Sequence, residues 1–216
     1  MSDKAGDALL STPLFSTKQR ILGAAEELFA RHGFAGASLR QVTSAAQVNL
    51  AAVNYHFGSK ENLVNEVFRR RLDALNAERL DALEAARAKA NYALEDTLEA
   101  FVRPALALTG DDQGGAPFVR VLARAYAEHN ERLRKFLHDN YGHILKEFAT
   151  DFARFLPHLD KQELYWRLDI VSGALTYAMA DFGVIKRRGT SEQQHRDLAA
   201  EHLIRFAAAG LRAGVE

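Results

Sequence analysis

The stretch SLRQVTSAAQVNLAAVNYHFGSK, Ser38 to Lys60, decides how this chain folds. Leu39, Val42, Ala45 and Ala46 recur at helical spacing in its first half and make an apolar stripe. Ser38 precedes that stripe, where a hydroxyl accepts from the free N–H groups of a first turn. Gln47-Val48-Asn49 interrupts the pattern, and Leu50, Val53 and Phe57 restart it. Two short amphipathic helices joined by a turn of about 3–4 residues form a helix-turn-helix, the layout that seats its second helix in a DNA major groove.

Working outward, the upstream segment supplies a supporting helix. Thr17 is the expected N-cap, Ile21, Leu22, Ala25, Leu28 and Phe29 the buried stripe, and Gly33 the terminator. Phe34, just past that glycine, is expected to pack back into a three-helix core. Downstream, Ser59 is placed to cap a fourth helix whose apolar face is Leu63, Val64, Val67, Phe68, Leu72 and Leu75. Residues 1–15 read as a flexible arm, 16–75 as the helix-turn-helix domain and 76–216 as a second helical domain.

Composition agrees with an all-α protein. Hydrophobic residues make up 48% of the 216, enough for a packed core, and only four prolines interrupt them. The chain has no cysteine, which removes disulfides, thiolate zinc sites and thiol redox sensing and fits a reducing cytoplasm. No apolar run reaches the roughly 18 residues that span a bilayer, so no membrane partner is expected. The first residues, MSDKAGDALLSTPLF, lack the basic start and apolar core of a secretory signal. Net charge is zero, yet its distribution is uneven. Between Leu14 and Arg71 stand eight cations (Lys18, Arg20, Arg31, Arg40, Lys60, Arg69, Arg70, Arg71) and four acids (Glu26, Glu27, Glu61, Glu66). That is a net +4, so the remainder carries −4, and the positive charge gathers where DNA would lie.

The second domain reads as a series of helices. One is expected over about 92–108, kinked or shortened by Pro104. TGDDQGGAP, Thr109 to Pro117, is the clearest loop, with Pro117 placed to start the next helix. Asn130 is the expected cap of a long helix that ends before Pro157. The last two helices carry small residues (Ser172, Gly173, Ala174, Ala178, Ala180; then Ala199, Ala200, Ala207, Ala208, Ala209, Gly210). Such stripes let helix axes approach closely, either across a homodimer's four-helix bundle or within one chain's core. Dimerisation is the preferred reading, because paired recognition helices about 34–36 Å apart match one turn of DNA.

The run VNLAAVNYHFGSK, Val48 to Lys60, resembles the signature of the TetR-type bacterial transcriptional regulators. Tyr55, His56, Phe57, Ser59 and Lys60 match it residue by residue. Gln47 departs from it, since the family usually has Gly there. A positive φ at that position favours Gly, so either Gln47 accepts strain or the turn differs. The resemblance implies a DNA-binding regulator of transcription, most simply a repressor, and not an enzyme. LRKFLHDNYGHILKEF, ELYWRLDIVSGALTYAM and FAAAGLRA further resemble the fatty-acid-responsive branch of that family. That resemblance implies a C-terminal ligand-binding and dimerisation domain, a long-chain fatty acid or acyl-CoA as effector, and fatty-acid metabolism genes as targets. Competing readings are a regulator of an efflux or stress gene responding to another hydrophobic compound, and a helical interaction module without DNA binding.

Candidate residues follow. The resemblance places phosphate contacts at Ser38, Tyr55, His56 and Lys60, all of which carry hydrogen-bond donors. Base reading falls to Asn49, Ala51, Ala52 and Asn54, helped by Arg40 or Gln41. Asn pairs with adenine, Arg with guanine, and Ala touches a thymine methyl. For the effector, a subset of Phe101, Phe118, Leu122, Tyr126, Phe148, Phe152, Trp166, Tyr177 and Met179 would line an apolar tunnel, the rest being core. Arg120 or Arg124 would face a carboxylate or phosphate, or else a protein carboxylate. No catalytic constellation, metal site or cofactor is expected. HExxH, GxSxG and P-loop patterns are absent, and His138 and His143 are five residues apart, the wrong step to share a helix face.

Overall fold

The computed structural model describes residues 16–110, 115–128, 130–180 and 189–214. These residues are helical, with no strand among them. They form two compact units, one ending at Val67 and the other beginning at Phe68. Among the described residues, no helix is long and apolar enough to cross a membrane. The expected flexible arm, residues 1–15, lies outside the described residues.

In the first unit, α1 spans Thr17–Gly36, α2 Leu39–Ala46 and α3 Leu50–Phe57, and α4 begins at Lys60. The cap of α1 is Ser16 rather than Thr17: its hydroxyl accepts from the Gln19 N–H while the Gln19 side chain accepts from the Ser16 N–H. Only Ser16 has a Gln three residues on, and that reciprocal pair fixes the choice. Gly33 has φ 74°, so the chain breaks helical geometry there and turns Phe34 inward. The Phe34 ring stands 5.6 Å from that of Phe29, both buried. With Ile21, Ala25, Val42, Val53, Phe57, Leu63 and Val67, they fill the core beneath α2 and α3. Leu50 falls outside the expected stripe and is 45% exposed.

The second unit takes the rest of α4, which ends at Arg87, then α5 (Leu94–Ala107), a 3₁₀ turn (Leu108–Gly110), α6 (Gly115–Ala127), α7 (Glu131–Phe155), α8 (Lys161–Met179) and α9 (Glu192–Arg212). Pro104 neither ends α5 nor shortens it appreciably, since three helical residues follow. The expected loop 109–117 is shorter than read, because α6 already begins at Gly115. The central element is α5, whose Leu94, Leu98, Phe101, Val102 and Ala105 are all buried. It packs against α7, α8 and, most closely, α9. Ala200, Ala207 and Ala208 of α9 are buried in this same core. Those members of the small-residue stripe therefore serve the chain's own packing.

Polar ties hold this unit over long sequence distances. Arg79 lies 4.1 Å over the Phe101 ring and donates to the Phe101 carbonyl at 3.0 Å. The Tyr141 hydroxyl donates to Asp73 at 2.7 Å. Arg87 donates to the buried Asp151 carboxylate at 2.7 Å. Arg167 of α8 donates to the carbonyls of Gly210, Leu211 and Ala213, satisfying the orphan acceptors at the end of α9. Arg212 donates to Glu95 at 2.8 Å, and that hydrogen bond holds the carboxyl below the usual glutamate value.

Candidate nucleic-acid interface

The site is built by a sequence of caps, each three residues long. The Ser38 hydroxyl accepts from the Gln41 N–H at 3.2 Å, and the Gln41 side-chain oxygen accepts from the Ser38 N–H at 2.8 Å. Asn49 caps α3 by accepting from the Ala52 N–H at 2.8 Å. Ser59 caps α4 by accepting from the Asn62 N–H at 3.1 Å. The Asn62 amide in turn donates to the Phe57 carbonyl at 2.9 Å, tying the end of α3 to the start of α4. Gly58, between them, has φ 73°.

Gln47 settles the question that the sequence leaves open at the turn. It adopts φ 53°, ψ 50°, so the turn has the left-handed geometry that usually takes Gly, and Gln47 accepts its strain. The Val48 N–H donates to the Thr43 carbonyl at 3.0 Å and helps close the turn. Arg20 of α1 holds it from outside, donating to the Ala46 carbonyl at 2.6 Å and to the Gln47 carbonyl at 2.9 Å. Sequence reasoning passes over Arg20 because its partners lie 26 and 27 residues away. Nothing local marks it.

Val53 and Phe57 face the core, and Ala51, Asn54 and Tyr55 share the opposite, exposed face of α3. Tyr55 is 86% exposed, an unusual position for so large a ring. Its edge meets the His56 ring at a centroid distance of 5.1 Å. His56, Lys60 and Ala52 are half-buried at the flanks, and Ser38, Arg40, Gln41 and Asn49 are exposed. Two assigned roles change in detail. The Asn49 and Gln41 side-chain oxygens are engaged in caps, so each offers a nucleic acid chiefly its amide NH₂. The Ser38 hydroxyl donates to Gln41 at 2.8 Å, so its proton is already in use. Lys18 of α1 is also occupied, 3.0 Å from Glu66.

The residues expected to line an effector tunnel divide. Phe101, Phe148, Phe152 and Met179 belong to the central core, and Phe118 is fully buried with its ring 5.5 Å from Phe68. Leu122 and Arg124 are half-buried and Arg120 is exposed. Trp166 and Tyr177 are 60% and 50% exposed, pointing away from any interior tunnel. The register of α8 explains this, since Leu164, Leu168, Val171 and Leu175 take its inner face and leave Trp166, Ile170 and Tyr177 outside. The Tyr126 side chain lies outside the described residues. Arg120 and Met179 share a cavity of about 470 Å³. No cluster of His, Asp and Glu able to hold a metal ion occurs among the described residues.

Comparison with known proteins places both units. Residues 21–67 match the family described as bacterial regulatory proteins, tetR family, and residues 99–210 match the tetracyclin repressor-like C-terminal domain. Over 72 residues the chain is 46% identical to the HTH-type transcriptional regulatory protein RaaS of Mycobacterium tuberculosis, covering 33% of this chain and 31% of that protein. Over 128 residues it is 28% identical to the HTH-type transcriptional regulator BetI of Burkholderia thailandensis, covering 58% and 62%. The matches thus span less than two thirds of either relative's length. A TetR-like transcriptional regulator from Rhodococcus shares the fold, with a TM-score of 0.62 at 20% identity over 93% of this chain and 98% of that one.

Proposed function

The chain belongs to the TetR family of DNA-binding transcriptional regulators, and from that premise we propose that it is a cytoplasmic homodimeric repressor released from its operator by a small apolar ligand. The observation that carries the DNA-facing part is the outer face of α3. An 86% exposed Tyr55 stands beside Ala51 and Asn54 on a helix whose other face is locked into a core. Tyr55, His56 and Lys60 are assigned to phosphates, and Asn54 and Ala51 to base edges, with Arg40 beside them. Ser38 contributes through the free N–H groups at the start of α2 rather than through its engaged hydroxyl.

The homodimer is assigned to the outer faces of α8 and α9. Trp166, Ile170 and Tyr177 stand exposed there around Gly173, and Phe206 is 71% exposed on α9. Exposed large apolar side chains of this kind are what self-association covers. The ligand class, a long-chain fatty acid or its CoA thioester, rests on the resemblance of the C-terminal segments to the fatty-acid-responsive branch, as does control of fatty-acid metabolism genes. Release is a population shift. From Phe68 onward α4 is tied to α5 and α7 through Arg79, Asp73 and Arg87. Ligand-driven displacement of those helices tilts α4, and the paired recognition helices lose their spacing.

Footprinting the protein on its own upstream region, with and without palmitoyl-CoA, tests this reading. Protection of a palindromic site that disappears with the thioester supports it. Protection that persists with palmitoyl-CoA and with palmitate removes the fatty-acid assignment. A thermal-shift series of other hydrophobic compounds then seeks the effector.

A further inference from the structure

We infer that the 470 Å³ cavity between the end of α5, α6, the end of α8 and the start of α9 is an anion-headed ligand site, with Arg196 and Arg120 as its head-group residues. The inference rests on the ligand-released reading above and names the place and chemistry of the ligand. The cavity is lined by Leu106, Val119, Met179 and Ala199 on the apolar side and by Arg120, His195 and Arg196 on the basic side. One carboxylate, Glu192, also lines it. Its volume falls in the range of about 300–1,000 Å³ typical of small-molecule sites.

Arg196 singles the cavity out. Its Nε is buried and has no hydrogen-bond acceptor among the described residues, an unusual state for a guanidinium. One of its Nη atoms donates to the Gln193 side chain at 2.8 Å. The other stands 3.9 Å from Glu192, whose side chain is 95% exposed and holds it weakly. The guanidinium packs onto the backbone of Gly110, where a Cβ would come within 2.5 Å of its carbon. Glycine at 110 therefore makes room for the guanidinium. The covered Nε anchors the guanidinium in place, and its charge faces the cavity beside Arg120, met among the described residues only by neutral Gln193 and distant Glu192. An anionic head neutralises that charge there, and the adjoining apolar wall takes an apolar body. A carboxylate on an alkyl or aryl body has both features. A phosphate-bearing thioester shares the anionic head, and the test separates the two.

The test uses the 216-residue protein and calorimetric titration with decanoate, decanoyl-CoA and the neutral decanol. Decanoate is expected to bind wild type, with Arg196→Gln and Arg120→Gln each weakening it at least about tenfold, the loss for one charged hydrogen bond. Decanol is expected to bind at least about tenfold more weakly than decanoate. Arg205→Gln, on the exposed side of α9, is expected to leave binding unchanged. Because Arg120 is exposed, its variant keeps the test open if Arg196→Gln unfolds. Preference for decanoyl-CoA that also falls with both variants keeps the site and moves the head group to phosphate. Equal binding to wild type and both variants, or no binding of either anion, overturns the site. Operator release by decanoate is read separately in a gel shift. If decanoate binds through Arg196 but does not release DNA, the site stands and the release mechanism falls.

Discussion

In the unit that ends at Val67, each helix start is closed by a side chain three residues from its partner, whereas from Phe68 onward the decisive ties join helices far apart in sequence. Ser16 with Gln19, Ser38 with Gln41, Asn49 with Ala52 and Ser59 with Asn62 define the reader. Arg20 of α1 ties the reader's turn over 26 residues. In the second unit Asp160 and Ser191 also cap locally. Yet Arg87 to Asp151, Arg167 to Gly210 and Arg212 to Glu95 bridge 64, 43 and 117 residues. A reader assembled from local rules can be kept while the second unit is rebuilt, which suits a DNA module coupled to different signals.

The largest effect should come from the second unit's core. Phe152→Ala, at a site 1% exposed, is expected to cost about 3–5 kcal/mol, read from urea unfolding. A loss under about 1 kcal/mol would mean that the α5-centred core is not what holds this unit. Arg167→Ala comes next. Stripping the end of α9 of its charged cap should cost about 1.5–3 kcal/mol in the same assay, and an unchanged midpoint would place the stability of α9 elsewhere. In the reader the corresponding change is small and of opposite sign. Gln47→Gly relieves a left-handed residue and should raise stability by up to about 1 kcal/mol. A destabilised variant would show that the Gln47 side chain holds the turn. The smallest effect is acid dependence. Because the Arg212 hydrogen bond lowers the folded-state pKa of Glu95, its stabilisation is present above the ordinary value of 4.5 and is lost as pH falls through the lowered value. Glu95→Gln should flatten that part of the stability–pH curve, and a curve identical to wild type would sink the pairing.

What could be read from the sequence follows the same division. The helix-turn-helix, its caps at Ser38 and Ser59 and the inward turn of Phe34 were legible because each is written within a few residues. The α1 cap slipped by one residue because two adjacent hydroxyls compete and only a Gln at the right spacing separates them. In the second unit the helices were legible as helices, but their facing was not. Trp166 and Tyr177 look like core aromatics until the register of α8 places Leu164, Leu168, Val171 and Leu175 inside. The stripe of small residues on α9 suits either a partner or a neighbouring helix, and only packing shows that Ala200, Ala207 and Ala208 face α5's core. Arg167 and Arg196 read from the sequence as ordinary i,i+4 partners of Glu163 and Glu192. Their local partners, Glu163 for Arg167 and Gln193 for Arg196, say nothing of the carbonyls and the glycine that the fold brings near.

The central claim, that the outer face of α3 and the start of α4 read DNA, is tested most directly by anisotropy titration of the footprinted duplex across a salt series. The wild type, Tyr55→Ala and Lys60→Ala proteins would be compared, with the solution mass checked to be the same for each. Wild-type affinity is expected to fall steeply with salt. Lys60→Ala should bind more weakly with a salt slope smaller by about 1 for each phosphate contact removed, and Tyr55→Ala should bind more weakly at every salt concentration. Wild-type binding that is flat with salt, or variants that bind as wild type does, would contradict the account.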